Sequence, residues 1–106
     1  MKNENHTKLN LQEIVEDIHA LREDIEAYER KYGVLSETFY ESYSNGEEPE
    51  DASWILDWSD WAGAYKIWLR RKDQYAVAIQ ELRGQSKNLL DVIEKTARHE
   101  LVSIVS

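Results

Sequence analysis

The sequence predicts an all-α protein, an antiparallel helical hairpin with a short helix between its arms and a further helix towards the C-terminus. Three observations predict it. A single proline, Pro49, and four glycines among 106 residues leave few turns, and 32% charged residues suit long solvated helices. Leu11, Ile14, Ile18, Leu21, Ile25, Tyr28 and Tyr32 alternate steps of three and four, as one apolar seam of a helix does. Trp54, Trp58, Trp61, Tyr65, Trp68, Tyr75, Ile79 and Leu82 keep nearly the same rhythm over a second, longer stretch.

The first helix is expected over Leu11–Tyr32. Asn10 with Glu13 reads as an N-cap and capping box, and Gly33 stands where a left-handed C-terminal cap belongs. Val15 widens the seam, while Glu16, Glu23, Asp24 and Arg30 form the solvated face. Ser36 reads as the N-cap of a short helix over 36–43, carrying Phe39, Tyr40 and Tyr43 and stopped by Asn45-Gly46. Residues 47–52, with Pro49, are too polar to pack and read as a loop.

Asp51 or Ser53 then caps a helix over 53–83, about 45 Å long at 1.5 Å per residue. Ile55, Ala62, Leu69 and Ala76 flank its main stripe and suggest a broad buried face. Lys72 falls inside the stripe, where a lone polar residue sets register or partner choice, or else its stem lies along the rings and its ammonium reaches water. Gly84 marks a break, and 86–99 is a further amphipathic stretch with Leu89, Leu90, Val92, Ile93 and Ala97. The expected organisation is a flexible 1–10, a hairpin domain over 11–83, and a terminal helix with an apolar tail over 84–106. That tail, Leu101 to Val105, frays or packs a last helical turn onto the bundle, or else adds a strand to a partner's sheet.

The formal net charge of −8 disfavours a phosphate-backbone binder, because Lys and Arg supply most nucleic-acid affinity. Seven acids, Glu41, Glu47, Glu48, Glu50, Asp51, Asp57 and Asp60, lie between residues 41 and 60 without one Lys or Arg, and Lys66, Arg70, Arg71 and Lys72 follow. Such runs read either as solvated surface or as steering for a cationic partner. With no cysteine, disulfides, thiolate metal sites and thiol catalysis are excluded. There is no apolar run of roughly 18 residues to span a bilayer, and the polar first ten residues are unlike a signal peptide, so a cytoplasmic location without a membrane partner is expected.

Chemistry is sparse. No glycine-rich phosphate loop, no His pair at helical spacing and no nucleophilic triad motif occurs, and His6, His19 and His99 are scattered. Glu13, Glu16 and Asp17, and Glu37 with Glu41, have the spacing with which helical Mg²⁺-dependent nucleotide hydrolases hold their metal, but the helix that should return a second acid pair is aromatic. The expectation is therefore a non-enzyme with no cofactor, no metal and no catalytic residue. Aromatic-lined ligand pockets between helices are the other use of such rings, but only Lys72 brings polarity to this stripe.

Lys31-Tyr32-Gly33, then Ser36-Glu37-Thr38-Phe39-Tyr40-Glu41, then Gly46 with the acids of 47–51, then Asp60-Trp61-Ala62-Gly63-Ala64-Tyr65 form an ordered set of short motifs. Over about residues 18–75 the chain resembles a family of small helical antitoxin-like proteins of bacterial and archaeal toxin–antitoxin modules. It departs from that pattern in Trp54, Trp58 and Trp68 and in everything after Gly84. The resemblance implies a protein that binds and neutralises a toxin encoded beside it.

An aromatic side chain buries on the order of 150–250 Å², so a helix bearing six of them needs a cover. The expected cover is a second copy, giving a dimeric four-helix bundle, or a basic cognate toxin; a self-assembling adaptor is the alternative. Trp54, Trp58, Trp61, Tyr65, Trp68, Lys72 and Tyr75 are the expected protein interface, with aromatic hot spots at its centre.

Overall fold

The fold is given by a computed structural model, which describes residues 8–98 and 104–105. Helix α1 spans Leu11–Tyr32, α2 Ser36–Ser44, α3 Ile55–Gly84 and α4 Leu89–Ala97, with a 3₁₀ turn at Ala52–Trp54 leading into α3. The fold is all-helical apart from a two-residue antiparallel ladder of β1 (Lys8–Leu9) with β2 (Ile104–Val105), in register Lys8 to Val105 and Leu9 to Ile104. The apolar tail thus places two of its residues beside the start of its own chain. The rest of the expectations for 1–7 and 99–103, His6 and His99 among them, lies outside the described residues.

Local chemistry accounts for the helix ends. The Asn10 side-chain oxygen accepts from the Gln12 N–H at 2.8 Å, satisfying one of the orphan donors of the first turn of α1. Gly33, at φ +83°, closes the helix and donates its N–H to the Glu29 carbonyl at 2.8 Å. Asp51 accepts from the Ser53 N–H and hydroxyl at 2.9 and 2.7 Å and so starts the 3₁₀ turn. Asn88 accepts from the Asp91 N–H at 2.9 Å and starts α4.

Ser36 is not the N-cap of α2. That position is Leu35, which offers no side-chain acceptor, and Ser36 is the first helical residue. Its N–H and hydroxyl both donate to Glu29 Oε2 at 2.8 Å, so a carboxylate one turn back on α1 serves as the cap.

The chain divides into two compact units, and the division runs through α1 and α3. One unit is residues 18–70. Its core is Ile25, Phe39, Trp61 and Ala62, with Tyr28, Tyr32, Tyr40, Trp58, Tyr65 and Trp68 packed against it. The other unit holds the chain before residue 18 and from residue 71 onwards, with a core of Leu11, Ala78, Leu82 and Val92 and Ile79 against it. Inside that second unit Arg71 donates from Nε to Asp17 Oδ2 at 3.0 Å and from a terminal nitrogen to Gln74 Oε1 at 2.6 Å. Lys72, expected in the stripe, is exposed.

Candidate functional site

The aromatic cluster of the 18–70 unit is built around Trp61. Its ring is completely buried, and Phe39 stacks on it at 3.8 Å with the planes 2° apart. Tyr28 and Tyr32 lie nearly parallel to it, with centroids at 5.8 and 5.7 Å. Its indole N–H donates to Ser36 Oγ at 2.8 Å, so the polar atom of the most buried ring is satisfied. The α1 and α2 aromatics that cover Trp61 belong to this chain. The centre of the expected interface stripe is therefore core in this unit, with Trp58, Tyr65 and Trp68 partly buried beside it.

The ends of the stripe are different. Trp54 and Tyr75 are each 40% exposed, Lys72 is exposed, and the flanking Ile55, Leu69 and Ala76 are uncovered, leaving Ala62 alone of that row buried. Trp54 still contributes to the edge of the cluster, meeting Tyr32 edge-on at 5.5 Å and stacking beside Trp58 at 6.4 Å. The indole N–H of Trp58 is buried without a hydrogen-bond partner among the described residues, a donor whose lost hydration costs about 1–3 kcal/mol.

One polar cluster closes the edge of this core. The Lys31 ammonium sits 2.6 Å from Asp57 Oδ2, and the Tyr32 hydroxyl donates to the same oxygen at 2.7 Å. The Lys31 and Tyr32 hydrogen bonds hold the Asp57 carboxyl below the usual aspartate range. The same bond to Asp57 raises Lys31. Desolvation first, and then the bond to Asp57, pushes the Tyr32 phenol up. Tyr28 is raised by desolvation and then by the Asp60 and Asp57 charges, and Tyr65 by desolvation and then by Glu37 and Glu29. These shifts keep the phenols neutral and the carboxylate charged, and they need no substrate to account for them.

Two clefts open beside the cluster. One, of about 460 Å³, is lined by Lys31, Tyr32, Phe39, Trp54, Trp58 and Trp61 among others. The other, of about 440 Å³, lies between Tyr43, the loop at Gly46 to Pro49, and Ile55, Trp58 and Ser59 of α3. Among the described residues no group of three or more His, Cys, Asp or Glu side chains is gathered to hold a metal ion, and no helix is long and apolar enough to cross a membrane. Comparison with family models, curated proteins and solved structures finds no match for this chain.

Periodicity marks the aromatic stripe. It does not mark Ser36, Glu29 or the Lys31–Tyr32–Asp57 cluster, because each depends on residues that the fold brings together from distant positions. The one available signal was the indole N–H itself, which needs an acceptor wherever a tryptophan is buried.

Proposed function

We propose that this protein is a non-enzymatic, antitoxin-like interaction module whose partner is a basic protein. The observation that carries the reading is the surface around the start of α3. Trp54, Ile55 and Leu56 are exposed there at 40%, 50% and 72%, and seven acids with no Lys or Arg occupy residues 41–60. Among the described residues Glu48, Glu50 and Asp60 make no ion pair. Exposed apolar anchors beside a surplus of acids, of which Asp57 is paired with Lys31, suit a partner of the opposite sign, which the acids steer and the anchors retain.

The architecture within this reading is an antiparallel hairpin of α1 and α3. It is supported in the 18–70 unit by the pairing of Tyr28 with Trp61 and of Tyr32 with Trp54, in which position rises along one helix as it falls along the other. The test is co-expression with the product of the adjacent gene. The proposal expects that product alone to arrest growth and this protein to relieve the arrest through a complex that survives purification. Growth unaffected by the product alone would end the reading.

A second reading, a self-associating adaptor, is favoured by one feature of the other unit. On α4, Leu89, Leu90 and Ile93 are exposed at 43%, 60% and 59% while Val92 is buried. A second copy covering that face would make a homodimer without any heterologous partner. Light scattering of the purified protein separates the two: a stable dimer that captures nothing else supports the adaptor, and a monomer excludes it.

A further inference from the structure

The cleft between the Gly46–Pro49 loop and the start of α3 has the features of a built docking site. Its lining brings the apolar Trp58 and Ile55 and the aromatic Tyr43 together with the acidic Glu47 and Glu48. The loop is held in place at Glu47. Gly46, at φ +81°, turns the chain back, the Glu47 N–H donates to the Ser42 carbonyl at 3.2 Å, and the Ser42 hydroxyl donates to Glu47 Oε1 at 2.5 Å. That bond engages one carboxylate oxygen of Glu47 and leaves its other acceptor sites for a ligand. Trp58 also keeps its indole donor unmet, within an element that lines the cleft.

Resting on the antitoxin-like reading above, we infer that this cleft receives a cationic helical segment of the partner, with an aliphatic side chain seated on Ile55 and Trp58 and an Arg one turn away between Tyr43 and the Glu47 and Glu48 carboxylates. Both halves of that ligand are dictated by the lining. An aliphatic residue alone would bring no charge to the unpaired Glu48. A cation alone would leave the exposed Ile55 wet. Arg meets the acids through a planar fork and lays its face on an aromatic ring, which an ammonium does less well. A nucleic-acid strand or an anionic lipid surface is repelled by the same carboxylates.

The probe is a synthetic helical peptide with Leu and Arg one turn apart, titrated into the full chain at low salt while amide resonances are followed. Shifts are expected at residues 43–59, with binding weakened about tenfold in Glu48→Lys and in Ile55→Ser. Both substituted side chains are exposed, and Leu90→Ser on α4 serves as the variant that should bind as wild type does. Shifts centred on α4, equal binding by all three variants, or no shifts would overturn the inference.

The same variants separate it from the broader reading when co-expressed with the adjacent gene's product. Protection by wild type but not by Glu48→Lys or Ile55→Ser supports both. Undiminished protection by both variants overturns the cleft as the partner's seat and leaves the antitoxin-like reading intact. A product that is harmless alone, with the peptide still seated in the cleft, ends the antitoxin-like reading and leaves a site for cationic peptides.

Discussion

The Trp61 indole N–H donates to Ser36 Oγ at 2.8 Å, and the Ser36 hydroxyl in turn donates to Glu29 Oε2 at 2.8 Å. Three elements, α1, α2 and α3, are tied at the most buried ring of the 18–70 unit by two hydrogen bonds. Trp61→Ala is expected to cost about 3–5 kcal/mol, as large aromatic deletions in cores do. Ser36→Ala leaves the indole donor buried and unmet, and is expected to cost about 1–3 kcal/mol. Chemical denaturation followed by near-ultraviolet circular dichroism measures both; a Trp61→Ala midpoint equal to wild type would show that the ring is not core in solution.

Two glycines should respond in opposite directions to the same substitution. Gly33 has φ +83°, and a Cβ there meets nothing within 4 Å, so Gly33→Ala tests backbone strain without steric clash. A loss of roughly 1 kcal/mol is expected from forcing a left-handed conformation on alanine. Gly63 lies inside α3, and its Cβ would also meet open space. Gly63→Ala is expected to gain about 0.5–1 kcal/mol from helix propensity. Thermal midpoints moving in the same direction for the two variants would contradict these assignments.

What could be read from sequence follows from how local each cause is. The bounds of α1 were legible because Asn10 and Gly33 act on their own neighbours, and the aromatic stripe was legible because burial repeats with the helix. Between Trp68 and Tyr75 the pattern could pass through either residue 71 or residue 72, and both are basic. Asp17 on α1 selects Arg71, and that choice lies in the tertiary contact, not in the period. Ala78, fully buried, gave no signal because a small residue is equally at home on a surface. Ser36 looked like a cap because serine usually is one; the carboxylate that displaces it, Glu29, lies seven residues away on another helix.

The titration behaviour of the Asp57 cluster has a defined sign. Asp57 is held below its ordinary range in the folded protein, first by Lys31 and then by Tyr32. Its contribution to stability is present above the unfolded value of about 3.9 and is lost as pH falls through the lower folded value. Asp57→Asn should therefore flatten the acid limb of a stability–pH curve. Tyr28, Tyr32 and Tyr65 are shifted the other way. Their contribution is intact below the ordinary phenol value of about 10 and is lost as pH rises through the higher folded values. Phenolate absorbance should accordingly rise later in the folded than in the denatured protein; coincident curves would deny the desolvation of these rings.

Arg71 ties α3 to Asp17 of α1 in the second unit, and it is partly shielded while Asp17 is half exposed. An ion pair so placed is worth at most about 1 kcal/mol. Arg71→Ala is expected to lower stability by no more than that, with the loss reduced in high salt. A larger and salt-independent loss would mean that the aliphatic stem of Arg71, rather than its charge, carries the packing.

Glu29 offers the most selective test of the α2 junction. Its Oε2 accepts from both the backbone N–H and the hydroxyl of Ser36, at 2.8 Å each, while Leu35 at the cap position supplies no acceptor. Glu29→Ala removes the acceptor of a helix-terminal amide and also frees the hydroxyl that orients towards Trp61. Caps of this kind contribute about 0.5–2 kcal/mol, and a loss within that range is expected. Glu29→Gln keeps a carbonyl oxygen in the same place and should recover most of it, losing only the charge at the helix N-terminus. Hydrogen exchange gives the local reading: amides in the first turn of α2 should open faster in Glu29→Ala, with those in the middle of α3 unchanged. Uniform acceleration across the 18–70 unit would instead place Glu29 among the residues holding the whole core, and equal losses for alanine and glutamine would trace the effect to charge alone.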